Sequence, residues 1–500
     1  MVLRRSYYSW NRVWAEFCPE LAAFALVSSI NFLLWNERRT ILLRKVNNEG
    51  NVMSNIVGLN RRAFIKSAGF TALAGATGVI ATGSNQVAAA SSSRMAGGKF
   101  DFDTPYNRVG TNCSRWDSPP LNYPSGNFRY GMGVATMDFE AAPCITEALE
   151  ERGKHHVWGY MSSTDSLRDA IVQWNGNRHK LDIDPKSVVI SAGVYPGIIA
   201  ALRAFSPAGS KALMLTPTYD GFQTHCRHTK VLISESQMAY RNGRFEIDWE
   251  DLESKMTPDT RSMIVCNPQN PTGNVWTRDE LMRIGQMCLE RNIIVLSDEI
   301  HSDIVRPGHK YVPFASLADK AVVNNSITFN AVSKTFNLAG MKVAYYYTSN
   351  PTLLGRINDY HRADLNTLGV VANEAAMRHG ADWFDQALAY LHENHTFAET
   401  YIKQNIPLIK FHKSEGTYLT WLDVSAAMEK IGAAEMAKAQ AKRSPEHYFQ
   451  DWLVENSGVY LNPGSNYGAG GEGHMRMNLA SSRLVLQDVF DAMAGALNKV

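Results

Sequence analysis

From about Val188 onward, short apolar runs alternate with amphipathic stretches. Val188–Ile190, Lys211–Leu215, Ser262–Cys266, Ile293–Leu296, Ser326–Phe329 and Val343–Tyr347 each read as a strand. Their continuous apolar character predicts a mostly parallel sheet covered on both faces. Between them, Ile198–Phe205 and Arg278–Glu290 carry helical spacing. Thr277, followed by Arg278-Asp279-Glu280, is an N-cap with acidic residues in the first turn. Beyond Leu365 the strands thin out and helical stretches such as Trp383–Thr400 take over. Tyr418–Leu422 and Met475–Leu479 read as further strands. The pattern predicts an α/β chain with a large sheet domain over 141–365. A smaller α+β domain is expected over 366–500, joined by the segment 91–140.

The first ninety residues follow a different pattern. Arg61-Arg62-Ala63-Phe64-Ile65-Lys66 precedes a mildly apolar, uncharged stretch, Ser67–Thr82, and then Ala88-Ala89-Ala90. Charged region, apolar region and small-residue cleavage site are the parts of an export signal, and the paired arginines point to the twin-arginine route. This predicts export to the periplasm by the twin-arginine machinery, with cleavage near Ala90. A surface helix that begins with two arginines is the plainer alternative. Met53 stands where such a signal would begin, so residues 1–52 are expected to be an upstream extension. Their run Leu21–Trp35 is shorter than the ~20 residues that span a bilayer, which leaves a short interfacial anchor as the other reading.

Composition narrows the classes. Fifty Lys and Arg against 48 Asp and Glu give a net charge of +2, which is no footprint for nucleic acid. With 45% hydrophobic and 20% charged residues, the chain is neither largely disordered nor a polytopic membrane protein. Six cysteines without a CxxC pair make neither a disulfide scaffold nor a zinc ribbon. Cys266 lies in an apolar strand and reads as core. His225, Cys226 and His228 are close in sequence, but no further ligands cluster with them, so a solvated helix face is expected and no metal.

Four segments at strand ends carry candidate chemistry, where α/β proteins place ligands. Ser191-Ala192-Gly193-Val194 joins a strand to a helix and can offer backbone N–H groups to a phosphate. Asn267-Pro268-Gln269-Asn270-Pro271-Thr272-Gly273 is a loop stiffened by two prolines, which holds Asn270 in place. Ser297-Asp298-Glu299-Ile300-His301 puts a carboxylate directly after a strand, able to pair with a protonated ring nitrogen. Ser333-Lys334-Thr335-Phe336-Asn337-Leu338-Ala339-Gly340 contains a lysine that in a pocket could form a Schiff base, flanked by hydroxyls able to bind phosphate. Taken singly, each is also an ordinary turn or a solvated charge.

Together and in this order, the four segments resemble the aspartate-aminotransferase-like superfamily of pyridoxal 5'-phosphate (PLP) enzymes, over roughly Asp101 to the C-terminus. The resemblance implies that fold and that cofactor. It implies Lys334 as the residue bonded to PLP, Asp298 on the pyridinium nitrogen, and Asn270 on the ring 3-oxygen with His301 nearby. It implies Tyr219 stacked on the ring, and Gly193, Val194, Ser333 and Lys342 on the phosphate, Lys342 replacing a frequent arginine. Tyr160 would reach the phosphate of a partner subunit, implying a homodimer with shared active sites. Arg476, in Gly473-His474-Met475-Arg476-Met477-Asn478, would clamp the α-carboxylate of an amino acid substrate.

PLP supports several reactions, and the protein selects among them. Met137-Asp138-Phe139, Ala142-Pro143-Cys144-Ile145, Gly159-Tyr160, Asp298-Glu299-Ile300-His301 and the run Ser333–Gly340 are similar to the MalY/PatB-type cystathionine β-lyases. That branch implies α,β-elimination, with Lys334 as general base, releasing a thiol, pyruvate and ammonia. Aminotransfer to a 2-oxo acid is the alternative, and racemisation a more remote one. Gly133 and Thr136 stand where the branch has Trp and Asp, which predicts a wider and less acidic pocket. Some MalY-type proteins also act as regulators by binding a protein partner. The export signal and the presence of Lys334, Asp298 and Asn270 together argue against a purely binding role. Five cysteines remain beyond Ala90, none of them placed for catalysis, and a disulfide among them cannot be assigned from sequence.

Overall fold

The computed structural model describes residues 94–95 and 98–500, except 124–125 and 242. The twin-arginine segment, the cleavage site near Ala90 and residues 1–52 lie outside the described residues.

The larger sheet has seven strands: β1 Val188–Ser191, β2 Lys211–Thr216, β3 Leu232–Gln237, β4 Thr260–Cys266, β5 Ile294–Asp298, β6 Ser326–Asn330 and β7 Ala344–Tyr347. Their spatial order is β1-β7-β6-β5-β4-β2-β3. Only β7 runs against its neighbours β6 and β1; the pairs β6–β5, β5–β4, β4–β2 and β2–β3 are parallel. Side chains alternate between two cores, as the two-residue period of a strand requires. Met263 and Val265 face one core with Leu281, Ile284 and Cys288. Ile264 and Cys266 face the other with Ile198, Leu202 and Phe222. Both faces are covered, which is why these strands read as continuous apolar runs. The edge strand β3 departs from that pattern. Leu232 and Ile233 are exposed, and the polar residues of Leu-Ile-Ser-Glu-Ser-Gln hid it from the apolar periodicity.

Helix boundaries follow local chemistry. Helix α1 is Pro143–Gly153, α2 Asp165–His179, α3 Val194–Phe205, α4 Gly221–Thr229 and α5 Arg278–Glu290. The helix α3 begins four residues before the expected Ile198, because Pro196 falls in its first turn, where a missing N–H costs nothing. At α5, Thr277 and Glu280 form a reciprocal capping box. Further on, α6 is Thr367–His379 and α7 Ala381–Asn405. Although it lies beyond Leu365, α6 packs on α1 and α2.

A second sheet of four strands follows: β8 Lys410–His412, β9 Leu419–Asp423, β10 Asn462–Pro463 and β11 His474–Asn478, in the order β8-β9-β11-β10. All its pairings are antiparallel. Its core joins Leu422, Met475 and Met477 to Phe449, Leu453 and Phe490. Tyr130–Gly131 pairs with Val459–Tyr460, so the segment before Ala141 is tied to this part of the chain.

Candidate active site

The parallel strands β1, β2, β4, β5 and β6 all end at one edge of the larger sheet, and β7, running the opposite way, begins there. The four segments singled out at strand ends therefore meet at that edge. Gly193 follows β1, Tyr219 follows β2, and Asn270 follows β4. Asp298 ends β5, Lys334 follows β6, and Lys342 precedes β7. Arg476 arrives from β11. A cavity of about 590 Å³ is lined by Gly193, Val194, Tyr219, Asn270, Asp298, His301, Ser333, Lys334, Lys342 and Arg476. That volume lies within the usual range of ligand sites.

Lys334 Nζ donates to the Ala135 carbonyl at 2.9 Å. Burial, then the nearby Arg476, pull its pKa down to about 8, while Asp298 works in the other direction. Asp298 is buried at the end of β5, and burial pushes its carboxyl up to about 7, against a hydrogen bond from the Ile300 N–H and the charge of Lys334. His301 is also buried. Desolvation, then Lys334 and Arg476, hold its pKa well below the ordinary value, so the ring is neutral, and its Nδ1 has no partner among the described residues. Tyr219 leans over Gly221, where a Cβ would collide with the tyrosine ring. Burial raises the Tyr219 hydroxyl to about 12, so it stays protonated.

Arg476 is buried among three partners. Nη1 donates to Asn270 Oδ1 at 3.0 Å, Nη2 donates to the Gly133 carbonyl at 2.8 Å, and the guanidinium stands 5.1 Å from the centre of the Tyr467 ring. Its Nε is buried without a partner among the described residues. Asn270 keeps its Nδ2 free of protein partners among the described residues. Gly193 has φ +152°, a conformation that L side chains rarely adopt, and it caps α3.

These features fit PLP. Asp298 is a buried carboxyl whose ionisation a protonated ring nitrogen would restore. The free N–H groups at the start of α3, the Ser333 hydroxyl and the Lys342 ammonium could hold a phosphate. The Arg476 Nε, buried without a partner among the described residues, is a donor that could serve an anion.

Several expectations change. Thr335, whose hydroxyl was open to a phosphate beside that of Ser333, turns away from the cavity: its hydroxyl donates to Asp303 at 2.6 Å. Asp303 also accepts from Trp174 Nε1 and pairs with His179, so a buried carboxylate braces the turn after β6. His225 and Cys226 are not solvated. With Phe222 they form the buried stripe of α4, and the His225 ring stands 4.0 Å from that of Tyr195 at the cavity wall. Burial holds its pKa at about 3, and neither ring nitrogen has a partner among the described residues. Gly133 does not open the pocket, because a Cβ there would collide with Asn462 Oδ1. Cys266 is buried as expected and also lines the cavity. All five cysteines among the described residues are free thiols.

Tyr160 stands apart from the cavity. It is fully exposed in a separate cleft with Trp158, Asp165 and Asn366. Asn462, Ser114 and the Ala135 carbonyl were not legible as site residues. Asn462 pairs across the small sheet with Arg476, and that cross-strand register appears only once the sheet is formed.

Residues 128–491 match the family described as Aminotransferase class I and II, and the chain belongs to that family. Cystathionine beta-lyase PatB of Bacillus subtilis (strain 168) is 34% identical over 404 residues, covering 80% of this chain and 100% of its own. The structure of cystalysin from Treponema denticola, which contains a pyridoxal 5'-phosphate cofactor, superposes with a TM-score of 0.73 at 28% identity, covering 80% of this chain and 99% of its own. The PLP-bound C-S lyase from Staphylococcus hominis gives 0.71 at 30% identity, covering 80% and 98%.

Proposed function

We propose that the protein is a PLP-dependent C–S β-lyase that cleaves cysteine-like and cystathionine-like amino acids to pyruvate, ammonia and a thiol. The observation that carries this reading is the convergence of Lys334, Asp298 and Arg476 on one cavity. The relatives named as cystathionine β-lyase and C–S lyase support elimination over aminotransfer. When bound, PLP supplies a conjugated ring that takes up the electron pair left at the α-carbon of an amino acid.

The protein's own residues supply the rest. Lys334 holds the cofactor through Nζ and, once free, removes the α-proton as general base. In the cofactor-free chain burial and Arg476 already lower its pKa to about 8, which favours the neutral amine. Asp298 holds the proton on the ring nitrogen. Asn270 Nδ2 would donate to the ring 3-oxygen, and Tyr219 would stack on the ring. Gly193, Val194, Ser333 and Lys342 bind the phosphate. Arg476 binds the α-carboxylate with Nε and its outer N–H groups, which orients the α-carbon. Borohydride reduction of the holoenzyme followed by peptide mapping tests the assignment. The cofactor mass is expected on Lys334 and nowhere in Lys334→Ala; attachment to another lysine would contradict it.

The quaternary and cellular parts of the reading rest on separate features. Exposed Val157, Trp158 and Tyr160 are suited to cover by a second copy, whose cofactor phosphate Tyr160 would reach. Light scattering that gives a monomer at working concentration would oppose this. Arg61-Arg62 and the small-residue site at Ala88–Ala90 support twin-arginine export to the periplasm. Substituting both arginines by lysine should leave the protein in the cytoplasmic fraction.

A further inference from the structure

Residues 133–137, of which Val134, Ala135 and Thr136 line the cavity, run without helix or strand, yet each of their five carbonyls accepts from a side chain. Gly133 O accepts from Arg476 Nη2 at 2.8 Å, and Val134 O from Asn478 Nδ2 at 2.7 Å. Ala135 O accepts from Lys334 Nζ at 2.9 Å and the Tyr418 hydroxyl at 3.0 Å. Thr136 O accepts from Asn478 Nδ2 at 2.6 Å and Arg115 Nη1 at 2.8 Å. Met137 O accepts from Arg108 Nη1 at 2.8 Å and Asn337 Nδ2 at 2.9 Å. Two of these donors, Lys334 and Arg476, are needed for the cofactor and the substrate. The others touch no reacting group and can hold the strap throughout a cycle.

Asn478 lies two residues beyond Arg476 on β11, so both side chains leave the same face of the strand. It is fully buried, and its one amide nitrogen bridges the carbonyls on either side of Ala135. Arg115, equally buried, ties Thr136 O to the carbonyls of Gly131 and Ala480 and pairs with Asp138 at 3.0 Å.

We infer that the Ala135 carbonyl is the dock that receives the Lys334 amine whenever it is not bonded to the cofactor, and that Asn478 and Arg115 are positioning residues that fix this dock. The inference rests on the reading of Lys334 as the cofactor lysine. In the proton-transfer step, the α-proton moves to Nζ and the electron pair of the broken C–H bond stays with the substrate. The new ammonium then donates to Ala135 O, which keeps it over the site and stabilises the charge against burial.

The test follows the rate of PLP uptake by cofactor-free protein against pH, because only the neutral amine reacts. Asn478→Leu removes the bridge, and the ammonium loses a fixed acceptor, so the midpoint should fall by about one pH unit. Arg115→Lys keeps a cation opposite Asp138 but cannot hold Thr136 O and Gly131 O together, so the midpoint should fall here too, by less than in Asn478→Leu, and an unmoved midpoint would remove Arg115 from the dock. Tyr418→Phe leaves the carbonyl to the ammonium alone and should move the midpoint upward, which covers the case in which Asn478→Leu does not fold. A midpoint unmoved in folded Asn478→Leu, or unmoved or lowered in Tyr418→Phe, overturns the dock. Failure of wild type to take up PLP at any pH would overturn the cofactor reading and the dock with it, and is told apart by the absence of a visible band in every variant.

Discussion

Replacing Asp298 by asparagine separates what its burial costs from what its charge is for. In the cofactor-free protein, burial raises this carboxyl from 3.8 to about 7. At ~1.36 kcal/mol per tenfold change in dissociation constant, that difference is worth at most ~4 kcal/mol. The sign follows from linkage. The folded chain binds the proton more tightly than the unfolded chain, so this contribution to stability is complete below pH 3.8. It is lost as pH rises through about 7. Asparagine has nothing to ionise and escapes the loss. Part of the gain is returned, because Lys334 loses a neighbouring carboxylate that favours its charged form. Urea unfolding of cofactor-free protein should therefore show Asp298→Asn more stable than wild type by roughly 2 kcal/mol at pH 8, with the difference shrinking by pH 4.5 and vanishing below the unfolded-state pKa of 3.8. With saturating PLP the order should reverse, because only the carboxylate pairs with the ring nitrogen. A stability difference that does not change between pH 4.5 and 8 would refute this reasoning.

Other consequences follow from the same geometry. Arg476→Lys keeps the charge but not the fork, so KM for the amino acid should rise at least tenfold while PLP affinity changes little, which steady-state kinetics and cofactor titration check together. PLP uptake by the wild-type cofactor-free protein should quicken about tenfold per pH unit below pH 8 and level off above it, since the Lys334 amine is free only above about 8. Gly193→Ala forces a side chain onto φ +152°, and a stopped-flow or fluorescence titration should show PLP bound roughly tenfold more weakly, in line with ~1–3 kcal/mol of backbone strain.

Much of this arrangement could be read along the chain because of how the fold uses it. Strands buried on both faces are apolar throughout, so β2, β4, β5 and β6 stand out. Residues just past such strands must come to one sheet edge, so Asp298, Asn270 and Lys334 were legible as neighbours. The exposed edge strand β3 lacks that signature. Side-chain direction within a turn is equally silent, which is why Thr335 could be read as able to bind a phosphate and is found on Asp303. The burial of His225 depends on the stripe of α4 that faces α3. The space beside Gly133 depends on Asn462, 329 positions away in sequence and adjacent only after β10 pairs with β11. Backbone acceptors leave no mark in sequence, so nothing pointed to Ala135 O.

The most direct measurement is pyruvate release by purified holoenzyme given L-cystathionine or L-cysteine with no 2-oxo acid present. The account predicts many turnovers per active site, equimolar pyruvate and thiol or sulfide, and a loss of at least a thousandfold in Lys334→Ala. A single turnover that continues only when a 2-oxo acid is supplied would make the protein an aminotransferase and contradict the assignment.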